Sequence, residues 1–190
     1  MERICFTMLV AADHIDTYVR MHAETWPELL AELDRTGWQN YSLFLRDDGL
    51  LIGCLESPDW DAAQRAMSLT DVAPRWSVEM DRLVVPGSVM RYPELAMHLE
   101  SALGLPEVRA PYRHCTVIDS LPPIEERALA TLHDNGMRNL ALFVRDDGLV
   151  VAYGETEVPG IPSWPWTLPS RPLREVFNLD EQLARVQTPR

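Results

Sequence analysis

The feature that most constrains the fold of this chain is a repeat. Residues 37–57 read GWQNYSLFLRDDGLLIGCLES and residues 136–156 read GMRNLALFVRDDGLVVAYGET, with ten of the 21 aligned positions identical. A shared RDDG turn could arise by chance, but here the apolar flanks match as well. Since self-similarity at a fixed offset marks repeated structural units, the 190 residues are predicted to hold two copies of one unit rather than one ordinary domain.

The first copy is predicted to follow the order β-α-β-β-α-β. Short apolar, β-branched runs predict its strands, and the helical spacing of apolar residues predicts its helices. Asp13 is a candidate N-cap for the first helix, Gly37 ends that helix, and Pro74 is expected to interrupt the second. The predicted elements are a strand over 3–10, a helix from 13 to about 36, strands over 40–46 and 50–56 around a turn at 47–49, a helical stretch over 60–82 and a strand over 95–99.

The second copy is predicted to keep its strands and to lose helical residues. Its first helix shortens to about 124–135, and the Pro-rich stretch VPGIPSWPWTLPSRP takes the place of the second. The expected fold class is α+β, with two ferredoxin-like β-α-β-β-α-β units in tandem forming a pseudo-dimeric α+β barrel. Residues 1–104 are assigned to a complete first domain, 105–112 to a linker and 113–190 to the degenerate second copy.

The charge composition excludes several classes of function. All 17 basic residues are arginines, so Schiff-base lysines and the lysine of a phosphate-binding loop are ruled out. Against them stand 29 acidic residues, which give a formal charge of −12. A surface this acidic disfavours binding to nucleic acid or to anionic lipid, because both need a patch of basic residues on the protein. We therefore expect no nucleic-acid partner and no membrane partner.

The cysteines indicate a reducing environment. Cys5, Cys54 and Cys115 are odd in number, widely spaced and set in apolar surroundings, which favours buried thiols over a disulfide framework. No apolar run approaches the roughly 20 residues of a membrane span. A cytoplasmic location is the resulting expectation.

The candidate chemistry begins with one helix. Tyr18, His22 and Trp26 follow each other at i, i+4 and i+8, which places them on nearly one face. On spacing alone, a histidine beside an apolar stripe is more often a satisfied core group than a functional one, although it titrates near neutral pH. Histidine pairs with metal-ligand spacing are absent from the sequence, and the Asp47-Asp48 pair is explained by the turn that contains it.

Four sequence runs carry a resemblance to a known family. These runs, YVRMHAETWPELLAEL (residues 18–33), GWQNYSLFL (residues 37–45), SLTDVAPRW (residues 68–76) and the tail PLREVFNLD (residues 172–180), resemble the L-rhamnose mutarotase family. The first three runs stand in the family's order and near-constant spacing, whereas the tail belongs to the second copy. The combination of HxxxWPEL with a downstream TDV…RW is fairly specific.

The resemblance implies a fold, an activity and a site. The family consists of small ferredoxin-like dimers that interconvert the α and β anomers of L-rhamnose without a cofactor or metal. Its acid–base histidine matches His22, its sugar-contacting tyrosines match Tyr18 and Tyr41, and the first of its paired tryptophans matches Trp76. The family usually has a second tryptophan where this chain has Ser77, so the expected substrate is L-rhamnose or a related sugar.

The second copy lacks a counterpart of His22 in its shortened helix. The expected arrangement is therefore one working site per chain, with the degenerate copy in the place of a partner subunit and further homodimerisation left open. Two alternatives remain beside the mutarotase: a different enzyme on the same barrel, such as a cyclase or cofactor-free oxygenase of natural-product synthesis, and a non-catalytic sugar-binding protein. Trp164 and Trp166 could form a lid over the site or a hydrophobic plug.

Overall fold

A computed structural model of the protein describes residues 1–160 and 171–187. The chain divides into unit 1, which comprises Met1–Arg91 and Glu175–Arg190, and unit 2, which comprises Tyr92–Arg174. Trp164, Trp166 and most of the Pro-rich stretch around them lie outside the described residues. The predicted loss of the second helix in this stretch, and the roles considered for the two tryptophans, therefore stay predictions.

The elements of unit 1 are β1 (Glu2–Leu9), a 3₁₀ turn (Ala12–His14), α1 (Ile15–Ala23), α2 (Pro27–Arg35), β2 (Gln39–Leu45), β3 (Leu50–Ser57), α3 (Trp60–Ser68), α4 (Val72–Asp81), the end of β8 (Arg171–Asn178) and α7 (Leu179–Gln187). Its strands lie in the order β1-β3-β2-β8, and both β1 and β2 run antiparallel to β3. After α4 the chain returns to the side of β1 away from β3, where Val84 and Arg91 form bridges to Val10 and Thr7.

Both predicted helices of the first copy are divided, and a proline accounts for the first division only. The first ends at Ala23 and a new helix begins at Pro27, which occupies the N1 position where its missing N–H costs nothing. Trp26 precedes that proline in an extended conformation (φ −57°, ψ 129°), as steric contact with the proline ring favours. Pro74 does not interrupt the second helix: the break lies at residues 69–71, and Pro74 sits in the first turn of α4.

Unit 2 contains strands in the order β8-β5-β7-β6-β4. The first residues of β8 pair with β5, with Leu173 opposite Cys115. Counted within the second copy, β8-β5-β7-β6 is the fourth-first-third-second order of a ferredoxin-like sheet. The elements of unit 2 are β4 (Glu94–His98), α5 (Leu99–Leu103), β5 (Tyr112–Ile118), α6 (Glu126–Asp134), β6 (Met137–Val144), β7 (Val150–Thr156) and the start of β8.

The α+β class and the ferredoxin-like order of elements are confirmed. The units in space divide the chain differently from the copies in the sequence, because residues 92–104 belong to unit 2 and residues 175–187 to unit 1. The copy boundaries at 104 and 113 remain a proposal about the sequence repeat. Within the described residues, no helix is long and apolar enough to cross a membrane. All three cysteines are buried and unbridged.

Candidate active site

The candidate site is centred on His22 in unit 1. Its imidazole stacks on the ring of Tyr18, one helical turn earlier on α1, with 4.1 Å between ring centroids and 26° between planes. Both side chains are buried, His22 to 5% exposure and Tyr18 to 4%. The i, i+4 spacing predicted that they would share a face, and the structure places that face inward.

A backbone hydrogen bond fixes which nitrogen of His22 carries the proton. Nδ1 lies 3.0 Å from the main-chain oxygen of Tyr18, and a carbonyl oxygen only accepts, so Nδ1 is the protonated nitrogen. Burial lowers the pKa of His22 to about 4, although the bond to the Tyr18 carbonyl opposes that shift. The imidazole is therefore neutral at pH 7 and its Nε2 holds a lone pair. This differs from the near-neutral titration expected of an exposed histidine, because burial penalises the charged ring.

Trp76, on α4, forms one wall of the cluster. Its ring meets His22 edge to face at 5.3 Å and meets Trp26 in the same manner at 5.2 Å. The guanidinium of Arg75 lies 5.4 Å from the Trp26 ring centroid and pairs with the Glu28 carboxylate. The tryptophan of the HxxxWPEL run is thus a packing partner of Trp76. Ser77, the next residue on α4, is exposed.

Tyr41, on β2, joins the cluster through a residue that the sequence did not single out. The ring of Phe177 lies 5.3 Å from Tyr41 and 5.9 Å from His22. Burial, together with the neighbouring Tyr41 hydroxyl, raises the pKa of Tyr18 well above its ordinary value. Both phenols lie within electrostatic reach of each other, and Tyr18 stays protonated at neutral pH. The tail PLREVFNLD marked a terminal strand, but no local pattern indicated that Phe177 would meet His22.

The main chain of His22 is held by two further side chains. The carbonyl oxygen of His22 accepts a hydrogen bond from Thr25 Oγ1 at 2.9 Å and another from Gln182 Nε2 at 3.2 Å. Thr25 is local, whereas Gln182 comes from α7, 160 residues later in the chain. All four site residues suggested by the sequence, Tyr18, His22, Tyr41 and Trp76, therefore lie in one connected cluster of unit 1.

Within residues 1–160 and 171–187, no group of three or more His, Cys, Asp or Glu side chains is arranged to hold a metal ion. The chemistry available to the cluster is that of its own groups. These are a neutral imidazole with an unprotonated Nε2, two phenols and the faces of several aromatic rings. Such a set can move a proton and can pack against the apolar faces of a small neutral molecule.

The fold and this cluster define an α+β protein with a candidate acid–base site, and comparison with known proteins gives the family. A family model described as L-rhamnose mutarotase matches residues 3–108, more than half of the chain. The chain belongs to the L-rhamnose mutarotase family. That name denotes an isomerase, so the protein is a member of an enzyme family of the isomerase class.

Two curated relatives carry the same name. The L-rhamnose mutarotase of Oceanobacillus iheyensis is 38% identical over 77 residues, which are 40% of this chain and 73% of that protein. The L-rhamnose mutarotase of Lactiplantibacillus plantarum is 34% identical over 85 residues, 44% of this chain and 81% of that protein. These matches cover most of each relative and less than half of this chain.

One solved structure resembles nearly the whole chain. A putative monooxygenase from Lactobacillus acidophilus aligns over 94% of this chain and 96% of its own, with a TM-score of 0.55 and 9% identity. At that identity the likeness shows a common fold and says nothing of the reaction.

Proposed function

We propose that the protein is a cofactor-independent mutarotase that interconverts the α and β anomers of L-rhamnose or a related sugar by acid–base ring opening and reclosure. The observation that carries the proposal is the state of His22: neutral, with Nδ1–H committed to the Tyr18 carbonyl and Nε2 left as a proton acceptor among aromatic rings. Membership of the mutarotase family supports the reaction class.

The proposed step balances with two groups. Nε2 of His22 accepts the proton of the anomeric hydroxyl while the bond between C1 and the ring oxygen breaks. The ring oxygen takes a proton from a phenol, which leaves an open-chain aldehyde, an imidazolium and a phenolate. Rotation about the C1–C2 bond exposes the other carbonyl face, and reclosure returns both protons. General acid–base assistance of this kind contributes about 10²–10⁴-fold to a rate.

Tyr18 and Tyr41 are the candidate proton donors. The raised pKa of Tyr18 keeps its hydroxyl protonated at neutral pH, so that it can donate a hydrogen bond to a sugar oxygen, and Tyr41 lies close enough to influence it. Trp76 offers an apolar surface beside His22 that suits the methyl group or ring face of a deoxy sugar. A neutral sugar needs no basic pocket, so the charge of −12 is compatible with it.

The proposal places one site in each chain, in unit 1, with the sugar as its ligand. Because Ser77 stands where the family resemblance implies a second tryptophan, the proposed substrates include sugars related to L-rhamnose. A cytoplasmic location, and a second copy that replaces a partner subunit, belong to the same proposal.

The test is anomer exchange of L-rhamnose and other 6-deoxy sugars, followed by NMR saturation transfer. We expect the wild type to accelerate exchange over buffer and His22→Ala to lower the protein-dependent rate about 10²–10⁴-fold. His133→Ala, the same substitution on α6 of unit 2, is the matched control and keeps the wild-type rate. Exchange equal to buffer for every sugar would overturn the proposal; sugar binding without exchange would favour a binding protein instead.

A further inference from the structure

The C-terminal segment, residues 175–187, forms part of the wall around His22. It comprises the end of β8 and the whole of α7, and α7 packs against α2 and β2 of unit 1. This segment lies beyond the stretch matched by the family model, which ends at residue 108. Two of its side chains, Phe177 and Gln182, contact the candidate catalytic residue from different directions.

Gln182 acts on the main chain of His22. The last carbonyls of a helix have no intrahelical donor, and His22 lies in the final turn of α1. Its carbonyl oxygen is satisfied by Thr25 Oγ1 and by Gln182 Nε2, whose side chain is 8% exposed. Thr25 belongs to the same short connection as the helix end and moves with it. Gln182 is therefore the contact that ties this turn to a separate element.

Phe177 acts on the ring of His22. Its own ring, 4% exposed, meets the imidazole edge to face at 83° and meets Tyr41 at 61°. The imidazole is thus stacked on the Tyr18 ring and lies nearly perpendicular to the rings of Trp76 and Phe177. A ring confined in this way keeps one orientation, and so does the lone pair of Nε2.

The segment itself is fixed to unit 1 between these two residues. Asn178 Nδ2 donates to Ser42 Oγ at 2.9 Å, and Asn178 Oδ1 accepts from the N–H of Glu181 at 3.0 Å, in the first turn of α7. Leu179 is 1% exposed in the core of unit 1. Phe177 and Gln182 therefore project from a backbone that is hydrogen-bonded on the strand side and packed on the helix side.

We propose that Phe177 and Gln182 are positioning residues for His22, so that the acid–base site is completed by the C-terminal segment. The proposal rests on the proposed function, since it assigns these residues to the same proton transfer. Loss of the Gln182 contact leaves the imidazole present but lets the last turn of α1 move. Loss of the Phe177 contact lets the imidazole ring change its orientation. A displacement of about 1 Å at a proton-transfer site can cost roughly 100-fold in rate.

The first test removes the donor of Gln182 and keeps its length. Gln182→Met is compared with Gln187→Met, the same change at an exposed position of the same helix. We expect Gln182→Met to lower kcat for anomer exchange roughly 10-fold to 100-fold with KM changed less than 3-fold. Gln187→Met keeps wild-type values. If Gln182→Met does not fold, Gln182→Asn, whose amide is one methylene short of the carbonyl, takes its place.

The second test shortens the wall at Phe177. Phe177→Leu is compared with Phe143→Leu, the same substitution at a buried strand position of unit 2. Both variants lose core packing, but only Phe177→Leu is expected to lower kcat, roughly 10-fold. Equal kcat in the two folded variants would overturn the role of Phe177.

A readout without turnover separates this inference from the proposed function. We expect the pKa of His22, followed through the imidazole carbon resonances, to be about 4 in the wild type and to rise by at least half a unit in Gln182→Met, because the loosened turn admits water. The same shift is absent in Gln187→Met. If the wild type exchanges no sugar, the proposed function fails while this titration still decides the positioning role. An unchanged His22 pKa in folded Gln182→Met would overturn the positioning role of Gln182, and so would an unchanged kcat.

Discussion

The two hairpins that carry the sequence repeat adopt the same local structure. In the first, Asn40 has a positive φ of 47° at a break in the β2–β3 register, and Arg46 donates to Asp48 in the turn. In the second, Asn139 has a φ of 50° at the corresponding break between β6 and β7, and Arg145 donates to Asp147. The backbone frame is therefore common to both units, down to the turn hydrogen bonds.

What lies against this frame differs, apart from an Asn–Glu hydrogen bond that both units keep. Unit 1 surrounds the neutral His22 with aromatic rings, whereas unit 2 buries a polar network that comprises His98, Glu100, Asn139, Tyr153 and Glu155. Burial raises the pKa of Glu100, but hydrogen bonds from His98 and from the Asn139 N–H outweigh it, so the net shift is downward and the carboxylate is ionised. The comparison shows that the same hairpin backbone can carry quite different sets of side chains. In one unit the frame carries aromatic rings around a buried histidine, and in the other it carries a buried hydrogen-bond network around two glutamates.

The sharpest test of this difference removes a carboxylate from each unit. Glu155 is 1% exposed and accepts from Asn139 Nδ2 at 2.8 Å, Tyr153 OH at 2.8 Å and the Ala110 N–H at 2.6 Å. Glu155→Ala leaves these three donors without their acceptor and is expected to lower the free energy of unfolding by about 3–5 kcal/mol. The matching Glu56→Ala removes a longer 3.3 Å bond from Asn40 and is expected to cost about 1–2 kcal/mol.

Urea denaturation at pH 7 measures both losses. Glu157→Ala, which removes an exposed partner of Arg138, is the surface control and should cost less than about 1 kcal/mol. Equal losses for Glu155→Ala and Glu56→Ala would mean that the buried network of unit 2 adds nothing to the shared Asn–Glu pair.

The second prediction concerns how the two sheets are filled. Phe6 lies opposite Gly53 in unit 1, and Thr116 lies opposite Ala152 at the matching position of unit 2. A Cβ added at Gly53 would lie 2.1 Å from Cζ of Phe6, so glycine is what makes room for that ring. Gly53→Ala is expected to cost about 2–3 kcal/mol through overpacking.

A double-mutant cycle checks this explanation. Phe6→Thr combined with Gly53→Ala recreates the pair found in unit 2, and it should cost at least about 1 kcal/mol less than the sum of the single changes. Gly104→Ala is not a suitable control, because that glycine has a positive φ of 66° that disfavours alanine. Additive losses in the cycle would show that the ring and the glycine are not coupled.

The frame could be read from the sequence because its determinants are local. An Asp-Gly turn with matched apolar flanks predicts a hairpin wherever it occurs, and the repeat supplied the order of the elements. The helices were less well predicted, since the apolar stripe continues from Ile15 to Leu33 across the connection at Trp26. Pro27 did signal the break, since a proline inside a helical pattern ends the helix at the preceding residue, but the prediction carried one helix through it.

The site could be predicted only in part, for the same reason. Tyr18 and His22 are linked by helical spacing, and the resemblance added Tyr41 and Trp76. Phe177 and Gln182 come from far along the chain, and no local pattern encodes which unit their segment joins. The lowered pKa of His22 is likewise a property of burial among residues from several elements, which spacing within α1 does not reveal.

The third prediction uses the lowered pKa of His22. The unfolded chain protonates His22 near its ordinary value of about 6.5 and the folded chain near about 4, so the unfolded state binds more protons between these values. Stability from this group is full above pH 6.5 and is lost as the pH falls toward 4. Between pH 7 and pH 5 the loss is expected to be about 2 kcal/mol.

Unfolding in urea at the two pH values, for the wild type and His22→Leu, isolates this contribution. Other titrating groups are common to both proteins and cancel in the difference. The variant should lose about 2 kcal/mol less than the wild type over this interval. An identical pH dependence in the two proteins would mean that His22 is not held neutral by burial.

The smallest expected effect tests the feature that the two units share. Arg46 and Arg145 each make paired contacts to the turn aspartate, with Nη2 to Oδ2 distances of 2.6 Å and 2.7 Å. The aspartate side chains are about half exposed, so Arg46→Ala and Arg145→Ala are each expected to lower the free energy of unfolding by only about 0.2–1 kcal/mol.

The hydrogen bond from Arg46 lowers the pKa of Asp48, so the stability that this ion pair contributes is present at neutral pH and is lost as acid protonates that carboxylate. Calorimetric melting at pH 7 compares the two variants, each serving as the control for the other. Losses that differ by more than about 1 kcal/mol would break the equivalence of the two turns, and with it the view that the units differ in side-chain content rather than in frame.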